Sequence, residues 1–127
     1  MHTLTEPELS IMLTLWQTEQ PVPRVYIQQK LEHLSWKTNT FNTYLGRLQD
    51  KGFLASECKG NTYYYRPLIP QDAYMEQEGS SILGRLFGGS LKNFVVSVSN
   101  TEAVDESDLE ELRSLLDQMK GGKSDVN

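Results

Sequence analysis

The hydrophobic period of this sequence changes at Gly52, and few folds accommodate the change. Upstream, apolar residues recur with the 3.6-residue period of helices; directly downstream, two short β-rich runs flank a turn. Thr5-Glu6-Pro7-Glu8 reads as a helix start, with Thr5 as cap, Glu8 three residues on and Pro7 in the first turn. Leu9, Met12, Leu13 and Trp16 then form one apolar stripe. Pro21 and Pro23 bracket a connection, and a second helix is expected from Pro23 to about Glu32, burying Ile27 and Leu31. After His33-Leu34-Ser35-Trp36, a third helix is expected from Lys37 to Lys51, with Phe41, Tyr44, Leu45 and Leu48 as its stripe. Gly52 suits the left-handed position that follows a helix. Phe53–Glu57 and Thr62–Arg66 enclose the turn-rich Cys58-Lys59-Gly60-Asn61, a β-hairpin pattern. Three helices and a hairpin in this order are a winged helix-turn-helix: mainly α with a small β-hairpin wing, α+β by class.

The remaining chain carries a different pattern. Pro67-Leu68-Ile69-Pro70 closes the module, and a helix is expected over Gln71–Phe87, with Ile82, Leu83, Leu86 and Phe87 on one face. Gly88-Gly89 breaks it. Residues 90–99 fit two conformations: Val95-Val96-Ser97-Val98 favours strand by propensity, while a helical arm is equally compatible. A last helix opens near Asp105-Glu106-Ser107-Asp108, acidic residues suited to a helix N-terminus. Leu109, Leu112, Leu116 and Met119 step by 3, 4 and 3, a short coiled-coil-like seam that Gly121-Gly122 should end. The expected organisation is a DNA-binding module over 1–70, a helical dimerisation region over 71–120 and a disordered tail over 121–127. The seam follows a complete module and has little domain of its own to pack on, so a second copy of the chain is its expected partner.

Charge is divided along the chain. The net charge is −5, yet residues 20–67 carry seven basic and three acidic groups, while residues 71–127 carry five basic and eleven acidic ones. The local field governs nucleic-acid binding, and the first region is at +4. The third helix sits inside it. Opposite its apolar stripe, Asn39, Asn42, Thr43 and Gly46 share one face at i, i+3, i+4 and i+7, flanked by Lys37, Thr38, Thr40 and Arg47. An ordinary solvated face would carry Glu and Lys, which are better helix formers. Asn can pair with adenine N6 and N7, and Thr offers a hydroxyl and a methyl to base edges. Lys37 and Arg47 suit phosphate contacts, and Lys59 at the wing tip suits a phosphate or the minor groove. Tyr63, Tyr64 and Tyr65 are better explained by packing within the wing than by stacking on bases. The expected ligand is double-stranded DNA, and a two-fold dimer would match a palindromic operator.

Other classes find little support. Cys58 is the one cysteine, so disulfides within the chain and multi-cysteine zinc sites are excluded; His2 and His33 lie far apart and read as surface residues. No metal or cofactor is expected. Ser56-Glu57-Cys58-Lys59 lacks the companion motifs of an S-x-x-K hydrolase, and Gly121-Gly122-Lys123-Ser124 lacks the first glycine and preceding strand of a P-loop. Cys58 has no evident His partner for nucleophilic catalysis. Neither a catalytic residue nor a small-molecule substrate is expected. The N-terminal residues have no secretory character and no apolar run approaches membrane-spanning length, which points to the cytoplasm. The competing reading, from another class, is a winged-helix adaptor that binds a protein partner without reading DNA sequence.

Several motifs together resemble one family. Leu4-Thr5-Glu6-Pro7-Glu8-Leu9 leads to Leu15-Trp16, and Trp36-Lys37-Thr38-Asn39-Thr40 leads to Leu45-Gly46-Arg47-Leu48. Lys51-Gly52-Phe53-Leu54, Tyr65-Arg66-Pro67-Leu68, Phe87-Gly88-Gly89-Ser90-Leu91 and Leu109-Glu110-Glu111-Leu112-Arg113 follow in order. In this set the chain resembles the penicillinase-repressor family (BlaI/MecI/CopY) from Leu4 to about Met119. The resemblance implies a homodimeric repressor of β-lactamase, penicillin-resistance or related stress genes. It also implies relief by proteolysis in the dimerisation region, triggered by a membrane-bound sensor metalloprotease, and Asn93-Phe94 resembles the bond cut in such repressors. Where the family often carries basic residues in the recognition helix, this chain has Asn39 and Asn42. The C-terminal cysteine cluster of the copper-responsive branch does not occur here.

Overall fold

A computed structural model describes residues 3–126, with side chains described as far as Gly121. It divides into two compact units, Met1–Gly79 and Ser80–Asn127. The first unit is a winged helix-turn-helix. Helix α1 spans Glu6–Trp16 and opens on a complete capping box: Glu8 N–H donates to the Thr5 hydroxyl, and Thr5 N–H donates to Glu8 Oε1 at 2.9 Å. Strand β1, Val22–Pro23, leads into α2, Arg24–Lys30. A 3-10 turn at Glu32–Leu34 follows, closed by Ser35 in the left-handed region at φ 57°. Helix α3 covers Thr38–Asp50, and β2, Leu54–Lys59, and β3, Thr62–Pro67, make the wing.

The core lies where α1, α2 and α3 meet the base of the wing: Ile11, Met12, Leu15, Ile27, Leu31, Phe41, Leu45, Leu48, Phe53 and Leu54 are buried together. For α1 this corrects the expected stripe, because Leu13 is 40% exposed while Ile11 and Leu15 are fully buried. Two sets of positions in α1 satisfy the i, i+3, i+4, i+7 rule, 9-12-13-16 and 8-11-12-15. The helix uses the second, whose first member is the carboxylate Glu8. Leu9 and Trp16 pack at its margin, and the Trp16 indole N–H donates to the carbonyl of Ile69 at 2.8 Å.

Gly52 ends α3 as expected. At φ 82° it turns the chain so that Gly52 N–H reaches the carbonyl of Gln49 and Phe53 N–H that of Leu48, the paired bonds of a Schellman motif. Phe53 is thereby delivered into the core. The hairpin is tighter than the four-residue turn expected, since Lys59 pairs with Thr62 and only Gly60 and Asn61 lie between. Gly60 supplies the positive φ, 64°, that a two-residue hairpin turn with glycine first requires. The sheet has a third strand that the sequence did not reveal: Val22 pairs with Tyr65 and Pro23 with Tyr64, giving the order β1-β3-β2. Two residues leave no period to read, and proline is tolerated because β1 is an edge.

Helix α4, Gln71–Phe87, has its expected bounds but straddles the two units. Its first turns belong to the winged module: Tyr74 is buried against Trp16 and Phe53, and its hydroxyl accepts from Leu4 N–H at 2.9 Å. Residues 91–99 form a helix, α5, Leu91–Ser99, against the strand propensity of their valines. The Ser90 hydroxyl caps it by accepting from Asn93 N–H at 3.1 Å. A strand needs neighbours for its backbone bonds, whereas a helix meets that need internally. Helix α6, Glu106–Val126, continues through Gly121-Gly122, where a stop was expected. Mid-helix glycine costs only about 1 kcal/mol against alanine, which is not in itself a break. The backbone of the expected tail is thus helical as far as Val126, while side chains beyond Gly121, and residues Met1, His2 and Asn127, lie outside the described residues.

Candidate nucleic-acid interface

Helix α3 is held rigidly from beneath and left open above. Phe41, Leu45 and Leu48 are buried in the core, and Trp36, just before the helix, packs on Phe41 and Tyr44 at ring separations of 5.1 and 5.3 Å. A hydrogen bond from Ser56 to Gln49 ties the end of α3 to β2. Lys51 follows the helix and donates to Glu8 Oε1 at 2.6 Å. Glu8 is 1% exposed. Burial alone would raise its pKa; the hydrogen bonds from Lys51 and Thr5, with the charge of Lys51, outweigh it and hold the carboxyl below its ordinary value. Lys51 is therefore committed to the fold and adds little to the outward field.

On the opposite side, Lys37, Thr38, Asn39, Asn42, Thr43, Gly46 and Arg47 are exposed, and Thr40 is half-buried. Lys37 is the N-cap residue, and Arg47 lies over the Tyr44 ring at 5.5 Å, which steadies a long cation beside the polar face. The Thr43 hydroxyl donates to the Asn39 carbonyl at 2.9 Å, which leaves its oxygen free to accept. Lys59 is exposed at the end of β2, beside the wing turn. All the residues expected to contact DNA thus belong to one unit, along α3 and at the tip of the wing. Tyr65 packs against the core and Tyr63 is exposed. Burial pushes the Tyr65 hydroxyl pKa up, against the opposing charge of Arg24.

Sequence reasoning passed over two residues of α2. In the sequence Arg24 shows only its charge. Its guanidinium donates through Nε to Gln28 Oε1 at 3.1 Å and through a terminal nitrogen to Asn42 Oδ1 at 3.0 Å. Gln28 in turn donates to the Thr38 hydroxyl at 3.2 Å. The i, i+4 spacing of Arg24 and Gln28 placed them on one face of α2, but nothing in the sequence said that this face meets α3.

In the second unit, none of the described side chains is buried. Leu109, Leu116 and Met119 are exposed, Leu112 is half-buried, and Leu86 is 73% exposed. Asn93 and Phe94 lie near the start of α5, both exposed, with Phe94 set edge-on to Phe87 at 5.4 Å. Among the described residues no group of three or more His, Cys, Asp or Glu could hold a metal ion. No described helix is long and apolar enough to cross a membrane.

The chain is similar to the penicillinase repressor of Bacillus licheniformis, 25% identical over 122 residues, covering 96% of this chain and 95% of the relative. It is similar to the methicillin resistance regulatory protein MecI of Staphylococcus epidermidis, 19% identical over 117 residues, covering 92% and 95%. Among solved structures it matches AbfR of Staphylococcus epidermidis at 23% identity and a TM-score of 0.45, over 93% of this chain and 75% of that one. That superposition is too loose to add to the argument. The model of the penicillinase repressor family matches residues 4–118. The chain belongs to the penicillinase repressor family, whose members are transcriptional repressors and not enzymes.

Proposed function

We propose that the protein is a homodimeric repressor that binds a palindromic operator in double-stranded DNA, with α3 in the major groove and Lys59 at the adjacent backbone or minor groove. The observation that carries this reading is the exposed face of Asn39, Asn42, Thr43 and Gly46, directly opposite buried Phe41, Leu45 and Leu48. Poor helix formers on an exposed face cost stability, and base readout explains their presence. Lys37 and Arg47 flank the face as phosphate anchors. The second unit supports pairing: α5 and α6 present apolar side chains without a buried core of their own, and Leu109, Leu112, Leu116 and Met119 form the seam for a second copy.

The names of the relatives, a penicillinase repressor and a methicillin resistance regulator, support β-lactamase, penicillin-resistance or related stress genes as the target. In this reading a membrane-bound sensor metalloprotease relieves repression by cutting Asn93-Phe94. That bond is exposed but helical, so α5 must open locally before a protease can bind it in extended form. Footprinting on the DNA upstream of the protein's own gene tests the operator reading. A protected, two-fold symmetric site is expected at moderate salt, and its absence contradicts repression through DNA.

A further inference from the structure

The bonds between α2 and α3 give the recognition face a direction. Arginine has only donors, so the partner atom at 3.0 Å on Asn42 is its carbonyl oxygen. This fixes the amide orientation and leaves the two N–H donors of Asn42 as its outward offering. A second lone pair remains on Oδ1, but the guanidinium beside it repels an approaching amino group, and of its five N–H donors these two bonds use only two. The adenine pairing described for asparagine needs that oxygen as an acceptor, opposite N6. A donor-only pair instead matches guanine, which shows two adjacent acceptors, N7 and O6, in the major groove. The same polarity extends along α2. Gln28 accepts from Arg24 and donates to Thr38, so the Thr38 hydroxyl hydrogen is turned away from Gln28.

Resting on the operator-binding reading above, we infer that Arg24 and Asn42 form a composite, donor-only reader of one guanine in each half-site, with Arg24 as the residue that positions the Asn42 amide. Asn42 alone would favour an A·T pair; Asn42 held by Arg24 favours G·C. Specificity at this position therefore depends on a residue of α2 as well as on the recognition helix.

Selection from a randomised duplex pool, with the full chain and its Asn42→Ala, Arg24→Met and Arg24→Lys variants, tests the inference. The position whose preference disappears in Asn42→Ala is expected to be G·C in the wild type, favoured over A·T by roughly fivefold or more. Arg24→Met frees the amide oxygen and should turn that one position toward A·T while the rest of the motif stays. Arg24→Lys keeps a donor beside Oδ1 and should retain G·C. Replacing the guanine by 7-deazaguanine, which lacks the N7 acceptor, should weaken wild-type binding and leave Asn42→Ala unaffected. An A·T pair at the Asn42-dependent position of the wild type overturns the inference and leaves operator binding standing. A G·C preference that survives Arg24→Met also overturns it. A pool in which no motif is enriched overturns the operator reading itself, and the inference with it. Because the wild-type and Asn42→Ala pools decide base identity, a poorly folding Arg24 variant does not remove the test.

Discussion

Glu8 closes the cap of α1 and also pairs with Lys51 at the end of α3, so one carboxylate joins the first helix to the proposed recognition helix. In the sequence only the first of these duties was legible, because the capping box is local and the ion pair spans 43 residues. Removing one partner of a fully buried pair costs about 3–5 kcal/mol. Lys51 is a quarter exposed and can turn to water, so the smaller range for charged hydrogen bonds applies. Glu8→Ala should destabilise the fold by about 1.5–3 kcal/mol, read from urea denaturation. The pKa of Glu8 is lowered in the fold, so its stabilising effect is complete above the ordinary value of 4.5 and is lost as pH falls through the lower folded value. Glu8→Gln should flatten the loss of stability on acidification over that window. An unchanged acid profile contradicts the assigned pairing.

At the scale of elements, glycines with and without positive φ give opposite expectations. Gly52 sits at φ 82° with open space where a Cβ would stand, so Gly52→Ala meets backbone strain and no clash. Thermal melting should show a loss of about 1 kcal/mol. Gly46 lies inside α3 with equally open surroundings and no positive φ. Gly46→Ala should therefore raise stability, by about 1 kcal/mol, while a methyl group on the exposed face keeps the helix from the groove and weakens DNA binding. A variant gaining both stability and affinity contradicts the placement of this face against DNA. The helices and the hairpin were legible because each repeats its period over several turns or ends on a turn residue. The stripe of α1 was misread because its true first member is charged. Strand β1 was too short to show alternation, and α5 went against β propensity because helical bonding needs no neighbouring strand. The Arg24–Asn42 contact was hidden for a different reason: packing between α2 and α3 decides it, and neither helix encodes it alone.

The whole molecule is a well-packed head joined in sequence to a unit whose described side chains all retain contact with solvent. Fully burying a leucine-sized side chain contributes about 1.5–3 kcal/mol, so burial of the α6 seam against a second copy is the proposed source of dimer stability. Leu112→Glu with Leu116→Glu should yield monomers by sedimentation and lower operator affinity by about a hundredfold or more, since the second head no longer binds intramolecularly. Operator readout by α3 requires binding that is both salt-dependent and sequence-specific. Binding of the wild type and Arg47→Ala to a duplex carrying the upstream site and to a scrambled duplex, measured across a salt series, tests it most directly. The upstream duplex should bind at least about a thousandfold more tightly than the scrambled one. Affinity should fall steeply with salt, and Arg47→Ala should reduce the logarithmic slope by about one per head. Equal affinity for the two duplexes, or binding indifferent to salt, would contradict operator readout through α3.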